Sequence, residues 1–126
     1  MNERQTVDEI IELEQLWSNG SVMAYHVTPT FNVRLIEQNG INPEYSTGKL
    51  KASWYVAKHG ILWAIAHCSA RHGIPTGELS VATVMLPRNA IKRSAFPKMF
   101  YVYDMYRIAT FSPATHFITL QEGNDV

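Results

Sequence analysis

The chain has 126 residues, of which 46% are hydrophobic and 17% charged, and its 11 basic and 11 acidic residues give a formal net charge of zero. This length suits one domain, and the hydrophobic share excludes an intrinsically disordered chain. Zero net charge removes the basic surplus typical of proteins that bind duplex nucleic acid along a broad face, and a single cysteine excludes an intramolecular disulfide.

The sequence also shows no pattern typical of a targeting segment. The first ten residues, MNERQTVDEI, carry acidic side chains and lack the apolar core of a signal peptide. No apolar run approaches the roughly 20 residues that a membrane-spanning helix needs. We therefore expect a cytoplasmic protein with no membrane contact.

The first predicted element is a helix over residues 6–18. Thr6 and Glu9 have the spacing of a capping box, and Ile10, Leu13 and Trp17 form an apolar stripe behind them. We assign residues 1–20 to this N-terminal helix and 21–122 to the main domain. The stripe either covers the domain's own sheet or docks in the groove of a partner protein.

Two strand–helix units follow. The pattern predicts a strand over 22–28, a helix from 29 to 39 that stops at Asn39-Gly40, a loop over 41–52, a strand over 53–57 and a helix over 59–72 that stops at Gly73. The first helix is expected to bury Phe31, Val33, Leu35 and Ile36. The inward residues of the second are expected to be Ile61, Leu62, Ala64, Ile65, Ala66 and Cys68.

The remainder of the chain reads as strands. They are predicted over 79–86, 99–104, 106–111 and 115–121, with an irregular segment over 87–97. Two strand–helix units followed by strands alone favour a single α+β domain with two to three helices and a mixed or mostly antiparallel, split sheet.

Candidate chemistry concentrates on the first two strands. Alternation places His26 and Thr28 on one face of the first strand, with Tyr25 and Val27 on the other. Tyr55, on the second strand, could present a flat ring to a planar ligand. Each has a plain alternative, since such a histidine is more often structural and such a tyrosine more often part of the core.

A metal site is the other possibility. Cys68 and His72 lie four residues apart on a predicted helix and could face one ion. A structural zinc needs four ligands, and no further two have suitable spacing. We predict no metal, with Cys68 in the core and His72 at the helix end.

The order of these motifs resembles the ADP-ribosyltransferase-like fold, which RNA 2′-phosphotransferases share. The resemblance is carried by Tyr25-His26-Val27-Thr28 on a strand, a helix ending in Asn39-Gly40-Ile41, an Asn-Pro loop containing Ser, Gly and Lys, and a Tyr55-Val56-Ala57 strand before an alanine-rich helix. It covers roughly residues 23–120 and implies NAD as co-substrate.

The resemblance also implies roles for particular residues. His26 matches the histidine that bonds a ribose hydroxyl of NAD, and Val27 stands where the family often has Gly, whose backbone holds the nicotinamide amide. Thr28 completes this cofactor-binding segment, and Tyr55 matches a tyrosine that stacks on nicotinamide. The family's late glutamate has no clear match, and Asp104 and His116 are the nearest candidates.

Three functions stay open on this basis. The first is an ADP-ribosyltransferase-like enzyme using NAD on an RNA or protein acceptor. The second is an RNA-processing enzyme, either 2′-phosphotransferase-like or a metal-independent ribonuclease with His26 and His116 as acid and base. The third is a catalytically inactive module that binds a nucleotide or, through residues 6–18, a protein.

Overall fold

The computed structural model of this chain describes residues 20–45, 50–95, 99–107 and 110–124. The N-terminal helix predicted over 6–18 lies outside the described residues. None of the helices in the described part of the chain is long and apolar enough to cross a membrane.

The described residues form one open six-stranded sheet and three α-helices. The strands are β1 Ser21–Pro29, β2 Ser53–Val56, β3 Leu79–Pro87, β4 Lys92–Arg93, β5 Met99–Val102 and β6 Thr110–Pro113, in the order β4-β5-β2-β1-β3-β6. The helices are α1 Val33–Asn39, α2 Ile61–His72 and α3 Ala114–Asn124. All strand pairings are antiparallel. The α+β class is confirmed, and of the two expected sheet types the antiparallel one is observed. The described strands form one open sheet, so the expected split of the sheet is wrong.

The central strand β1 pairs unequally with its two neighbours. It pairs with β3 along its whole length, from Ser21 opposite Pro87 to Pro29 opposite Leu79. Its pairing with β2 has a single register position, Tyr25 opposite Val56. The ladder between these two strands is therefore short, and the sheet has a weak seam between β1 and β2.

Alternation along β1 divides the core into two clusters, one on each face of the sheet. Val22 and Ala24 belong to the first cluster, which also contains Tyr55, Phe100 and Val102. Tyr25 and Val27 pack against the second cluster. That cluster holds the buried residues of α2 and the start of α3, which are Ile61, Ile65, Cys68 and Ala114. The predicted two-residue alternation of the first strand is confirmed.

Helix α1 ends at Gly40, as predicted, but its predicted buried face is wrong. Phe31 is 73% exposed and Leu35 is 44% exposed, and only Ile36 packs on the first core cluster. The helix is short and has no fully buried residue. Because α1 is so short, only a narrow side of it faces the sheet. Most of its apolar side chains therefore remain accessible to solvent.

Helix α2 is confirmed with a narrower buried face than predicted. Its buried residues are Ile61, Ile65 and Cys68, whereas Leu62 and Ala66 are exposed. The buried positions follow the spacing of one helix face. Gly73 ends the helix in the left-handed conformation, with φ of 64°, as its position predicted.

The C-terminal strand predicted over 115–121 is wrong, because these residues lie in helix α3. Thr115, Ile118 and Thr119 are β-branched and favour strands, but that preference is weak against tertiary packing. Ala114 is completely buried at the start of the helix. Phe117 meets Tyr25 edge to face, with ring centroids 6.3 Å apart. These contacts hold the segment against the sheet as a helix.

The strand predicted over 106–111 is also wrong at its start, and residues 108–109 lie outside the described residues. Tyr106 forms only an isolated bridge with Ile41, and β6 begins at Thr110. The Tyr106 carbonyl accepts a bond of 2.9 Å from the Ile41 amide, and the Tyr106 amide donates back at 3.3 Å. The 103–107 segment is therefore fixed to the residues that follow α1.

Candidate functional site

A cleft of about 620 Å³ lies along the seam between β1 and β2 and continues beside α2. Its volume is in the range of small-molecule sites. Tyr25, His26 and Val27 supply the β1 wall, residues 52–56 supply the β2 wall, and residues on one side of α2 supply the third. The cleft therefore lies where the sheet's ladder is weakest.

His26 lines this cleft as a partly buried side chain and is held by a backbone group. Its Nδ1 is 2.8 Å from the carbonyl oxygen of Trp54. A carbonyl can only accept, so Nδ1 carries the hydrogen, and in the neutral ring Nε2 is left as an acceptor. Burial lowers the pKa of the imidazole, and the bond to Trp54 opposes this shift only in part. His26 is therefore a neutral acceptor at neutral pH.

The pH dependence of stability should reflect the protonation of His26. In the unfolded chain its pKa returns to about 6.5, so the unfolded state binds the proton first as pH falls. The His26 contribution is full above about pH 6.5 and is lost as pH falls toward the lower pKa of the folded state. We expect the wild type to lose more stability than His26→Asn between about pH 7 and pH 5, measured by urea denaturation. An equal loss of stability in both proteins would contradict the assignment of His26 as a neutral side chain in the folded state.

Tyr55 packs directly against His26, with ring centroids 5.6 Å apart. The structure thus brings together the two residues that the sequence singled out. The Tyr55 ring is only 1% exposed and stacks near Phe100, with centroids 6.5 Å apart and planes 14° apart. In this conformation Tyr55 supports His26 from the core side, and its stacking on a ligand stays a prediction.

The Tyr55 hydroxyl has a distinctive environment. Its Oη is buried and has no hydrogen-bond partner among the described residues. Burial, with a smaller effect of Tyr106, raises the pKa of this phenol strongly. A buried hydroxyl without a partner carries a desolvation cost.

Replacing Tyr55 by Phe is therefore expected to keep or raise stability. Removing an unsatisfied hydroxyl while retaining the ring should increase the free energy of unfolding by about 1 kcal/mol. Urea denaturation of the two proteins measures this directly. A loss of more than about 1 kcal/mol would show that the hydroxyl has a partner in solution.

The wall formed by α2 combines aromatic and basic side chains. Trp63 and His67, one helical turn apart, stack with centroids 5.0 Å apart and planes 11° apart. Arg71 lies one turn further, and His72 follows it at the helix end. The described residues that line the cleft include no Lys, Asp or Glu, and Arg71 is their only Arg. The wall therefore favours an anionic ligand with an aromatic ring.

Cys68 lines the cleft on the same side of α2, but its thiol is not activated as a nucleophile. It is buried, its Sγ is 4.0 Å from the carbonyl oxygen of Val27, and burial raises the thiol pKa against a smaller opposing effect of Arg71. A protonated buried thiol is a poor nucleophile. The predicted core position of Cys68 is confirmed. Among the described residues, no group of three or more His, Cys, Asp or Glu could hold a metal ion.

The other predicted site residues divide into two groups. Val27 lines the cleft, and Thr28 is buried beside it in β1. Asp104 and His116 are exposed and do not line the cleft. Asp104 bonds to Tyr106, and His116 lies on α3 beside Phe117. The structure therefore does not bring either late candidate to His26.

Sequence reasoning did not single out Trp63, His67 and Arg71 as site residues. Their spacing of four residues was a usable signal, because it places them on one face of a helix. The same helix was interpreted through its apolar residues and through Cys68 and His72. One feature could have identified this wall. It is the line of an aromatic ring, an imidazole and a guanidinium along one side of the helix.

Comparisons of this chain with protein-family models, curated proteins and solved structures found no match.

Proposed function

We propose that this chain is an ADP-ribosyltransferase-like protein whose cleft binds NAD. The observation that carries the proposal is the pairing of His26 on β1 with Tyr55 on β2 beside the seam. That pair matches the order in which the resembling family places its ribose-binding histidine and its tyrosine. The cleft adds a volume suited to a cofactor and a basic group, Arg71, suited to a phosphate.

Within this proposal, His26 orients the nicotinamide ribose. The bond from Nδ1 to the Trp54 carbonyl fixes the ring, so Nε2 can accept a hydrogen bond from a ribose hydroxyl. Val27, the next residue on β1, supplies backbone groups to the nicotinamide amide. Tyr55 keeps the imidazole in place from the core side. NAD supplies the chemistry, because its glycosidic bond to nicotinamide breaks when ADP-ribose is transferred to an RNA or protein acceptor.

A second candidate function is a module that binds a nucleotide without transferring it. It is favoured by the absence of any Asp or Glu among the described residues that line the cleft. A carboxylate is the group that would stabilise positive charge developing on the ribose. The two candidates share the binding step and differ only in turnover.

Incubation of the purified protein with NAD separates these candidates. Nicotinamide release and the mass of the protein are read together, with His26→Ala as the site variant and His116→Ala as a matched histidine control outside the cleft. Release by the wild type and His116→Ala, but not by His26→Ala, supports transfer. Saturable NAD binding without release supports the binding module. No binding and no release would overturn the proposal.

A further inference from the structure

A row of aromatic side chains crosses the sheet beside the cleft. Trp54 on β2 lies opposite Tyr101 on β5, and their ring centroids are 5.1 Å apart. Tyr103 follows two residues later in the chain, with its ring centroid 5.6 Å from that of Tyr101. We call these three rings the aromatic row. The roles proposed for His26 and Tyr55 do not involve it.

The aromatic row lies beyond the helices that cover this face of the sheet. Val56 and Met99, each two residues from a member of the row, belong to or pack on the second core cluster, so alternation places the row on that face. Helices α2 and α3 pack mainly over β1, β3 and β6, whereas the row lies on and just after strands near the opposite edge. Tyr103 is 51% exposed, and the other two rings are partly exposed. A ligand can therefore reach the row from solvent.

The edge of the sheet next to the aromatic row is basic. Strand β4 consists of Lys92 and Arg93, both exposed, and Lys92 lies opposite Tyr101. The sequence over 79–103 contains four basic residues and no Asp or Glu, and Asp104 is the first acid after it. Since the whole chain has a formal net charge of zero, this positive charge is local to the β4–β5 edge.

The Lys92 ammonium is close enough to act on the neighbouring ring. A hydrogen bond with Tyr103 raises the pKa of the Tyr101 phenol, and the Lys92 charge opposes this shift. Neighbouring strands lie about 4.8 Å apart, and Lys92, Tyr101 and Trp54 occupy one register position on three adjacent strands. A cation and two rings are therefore aligned within about 10 Å.

Aromatic rings beside a cation match the chemistry of single-stranded nucleic acid. Every unpaired base has a face that stacks on an aromatic side chain, and every phosphate carries a negative charge. A duplex hides these faces and binds through a broad basic surface, which a chain of zero net charge does not favour. Lysine is depleted at protein–protein interfaces, so Lys92 beside the row favours a phosphate-bearing ligand over a protein.

We infer that the aromatic row and Lys92 form a binding surface for single-stranded nucleic acid, in which the three rings stack on bases and Lys92 contacts a phosphate. Trp54 and Met99 also line the cleft, so a strand on this surface would lie beside it. The binding itself requires no NAD. That the bound strand is the acceptor for ADP-ribose rests on the proposed function.

The test is fluorescence anisotropy of labelled single strands of about 12 nucleotides, titrated with the full chain. One RNA and one DNA of mixed sequence are used, together with the duplex of the same DNA sequence. We expect at least one of the single strands to bind about tenfold or more tightly than the duplex. Unlabelled single strand should displace the label.

Three variants test the surface. Tyr103→Ala and Tyr101→Thr should each weaken binding about tenfold, because each removes a stacking ring. Lys92→Gln should weaken binding and reduce the slope of log affinity against log salt by about 0.7, as expected for one lost phosphate contact. The matched controls are Phe31→Ala, an exposed aromatic residue in the turn before α1, and Lys58→Gln, in the turn before α2. Both should bind like the wild type.

Several results would overturn the inference. They are failure of the folded wild type to bind either single strand, duplex binding as tight as that of the single strands, and Tyr103→Ala binding like the wild type. Circular dichroism identifies a Tyr101→Thr protein that fails to fold, and Tyr103→Ala then tests the row, because its side chain is largely exposed.

Two further measurements separate this surface from other occupants and from the proposed function. Sedimentation velocity showing a wild-type dimer that Tyr103→Ala abolishes would assign the row to a second copy of the chain and overturn the inference. Binding of the oligonucleotide as described, with no binding of NAD, would leave the surface standing and the proposed function refuted. Binding of NAD without binding of any single strand would overturn the surface alone.

Discussion

Replacing His26 by Asn is expected to weaken NAD binding about 10- to 100-fold while the protein remains folded. The Asn amide can still donate to the Trp54 carbonyl, as His26 Nδ1 does at 2.8 Å, so the structural bond is retained. The group that disappears is Nε2, which is the acceptor assigned to the ribose hydroxyl. Calorimetric titration of NAD into both proteins measures the difference.

The matched control is His116→Asn, since His116 is exposed on α3 and does not line the cleft. It should bind NAD like the wild type. A His26→Asn protein that retains the wild-type affinity would show that Nε2 does not contact the ligand. His26 would then have only a structural role, through its hydrogen bond to the Trp54 carbonyl.

Replacing Gly40 by Ala is expected to cost about 2–4 kcal/mol of stability. Gly40 has φ of 75° and ψ of 178°, a conformation that side chains strongly disfavour. A Cβ at this position would lie 2.5 Å from the Met105 sulfur and 2.9 Å from the Tyr106 carbonyl oxygen. That oxygen is held by its bond to the Ile41 amide, so the clash cannot be relieved by a side-chain rotation alone.

Thermal and urea unfolding of Gly40→Ala measure this cost, and a fall in Tm of roughly 10 °C is expected. Gly77→Ala is the matched control. No atom lies within 4 Å of a Cβ built there, and its φ is not positive, so the change should be neutral or slightly stabilising. Equal stability of Gly40→Ala and Gly77→Ala would contradict the described packing of 103–107 on the turn after α1.

The sequence predicted β1 and α2 well because their signals were local and consistent. Alternation along 22–28 assigned Tyr25 and Val27 to one face and His26 and Thr28 to the other. Tyr25 and Val27 do pack on the second core cluster, and the buried residues Val22 and Ala24 of the same strand belong to the first. Gly40 and Gly73 each ended a helix as expected, with positive φ. Backbone preferences at single glycines and strand periodicity survive folding because tertiary contacts reinforce them.

The failures occurred where long-range packing decides the outcome. Thr115 and Ile118 favour a strand by propensity, yet Ala114 and Phe117 pack the segment as a helix. Phe31 and Leu35 are apolar residues typical of a buried helix face, but both are exposed, Phe31 in the turn before α1 and Leu35 on α1 itself. For the candidate site, strand alternation and the resemblance singled out His26 and Tyr55, and the structure places their rings side by side. It did not single out the α2 wall, because the tertiary fold decides which face of the helix meets the cleft.

The proposed binding of NAD at the seam between β1 and β2 is tested most directly by a titration of NAD. The measurement is calorimetry at about pH 7.5, where His26 is neutral in both states, with the wild type and His26→Asn run side by side. We expect saturable binding at one site in the wild type and a 10- to 100-fold weaker affinity in His26→Asn. Absence of binding in the folded wild type, or identical affinities in the two proteins, would contradict it.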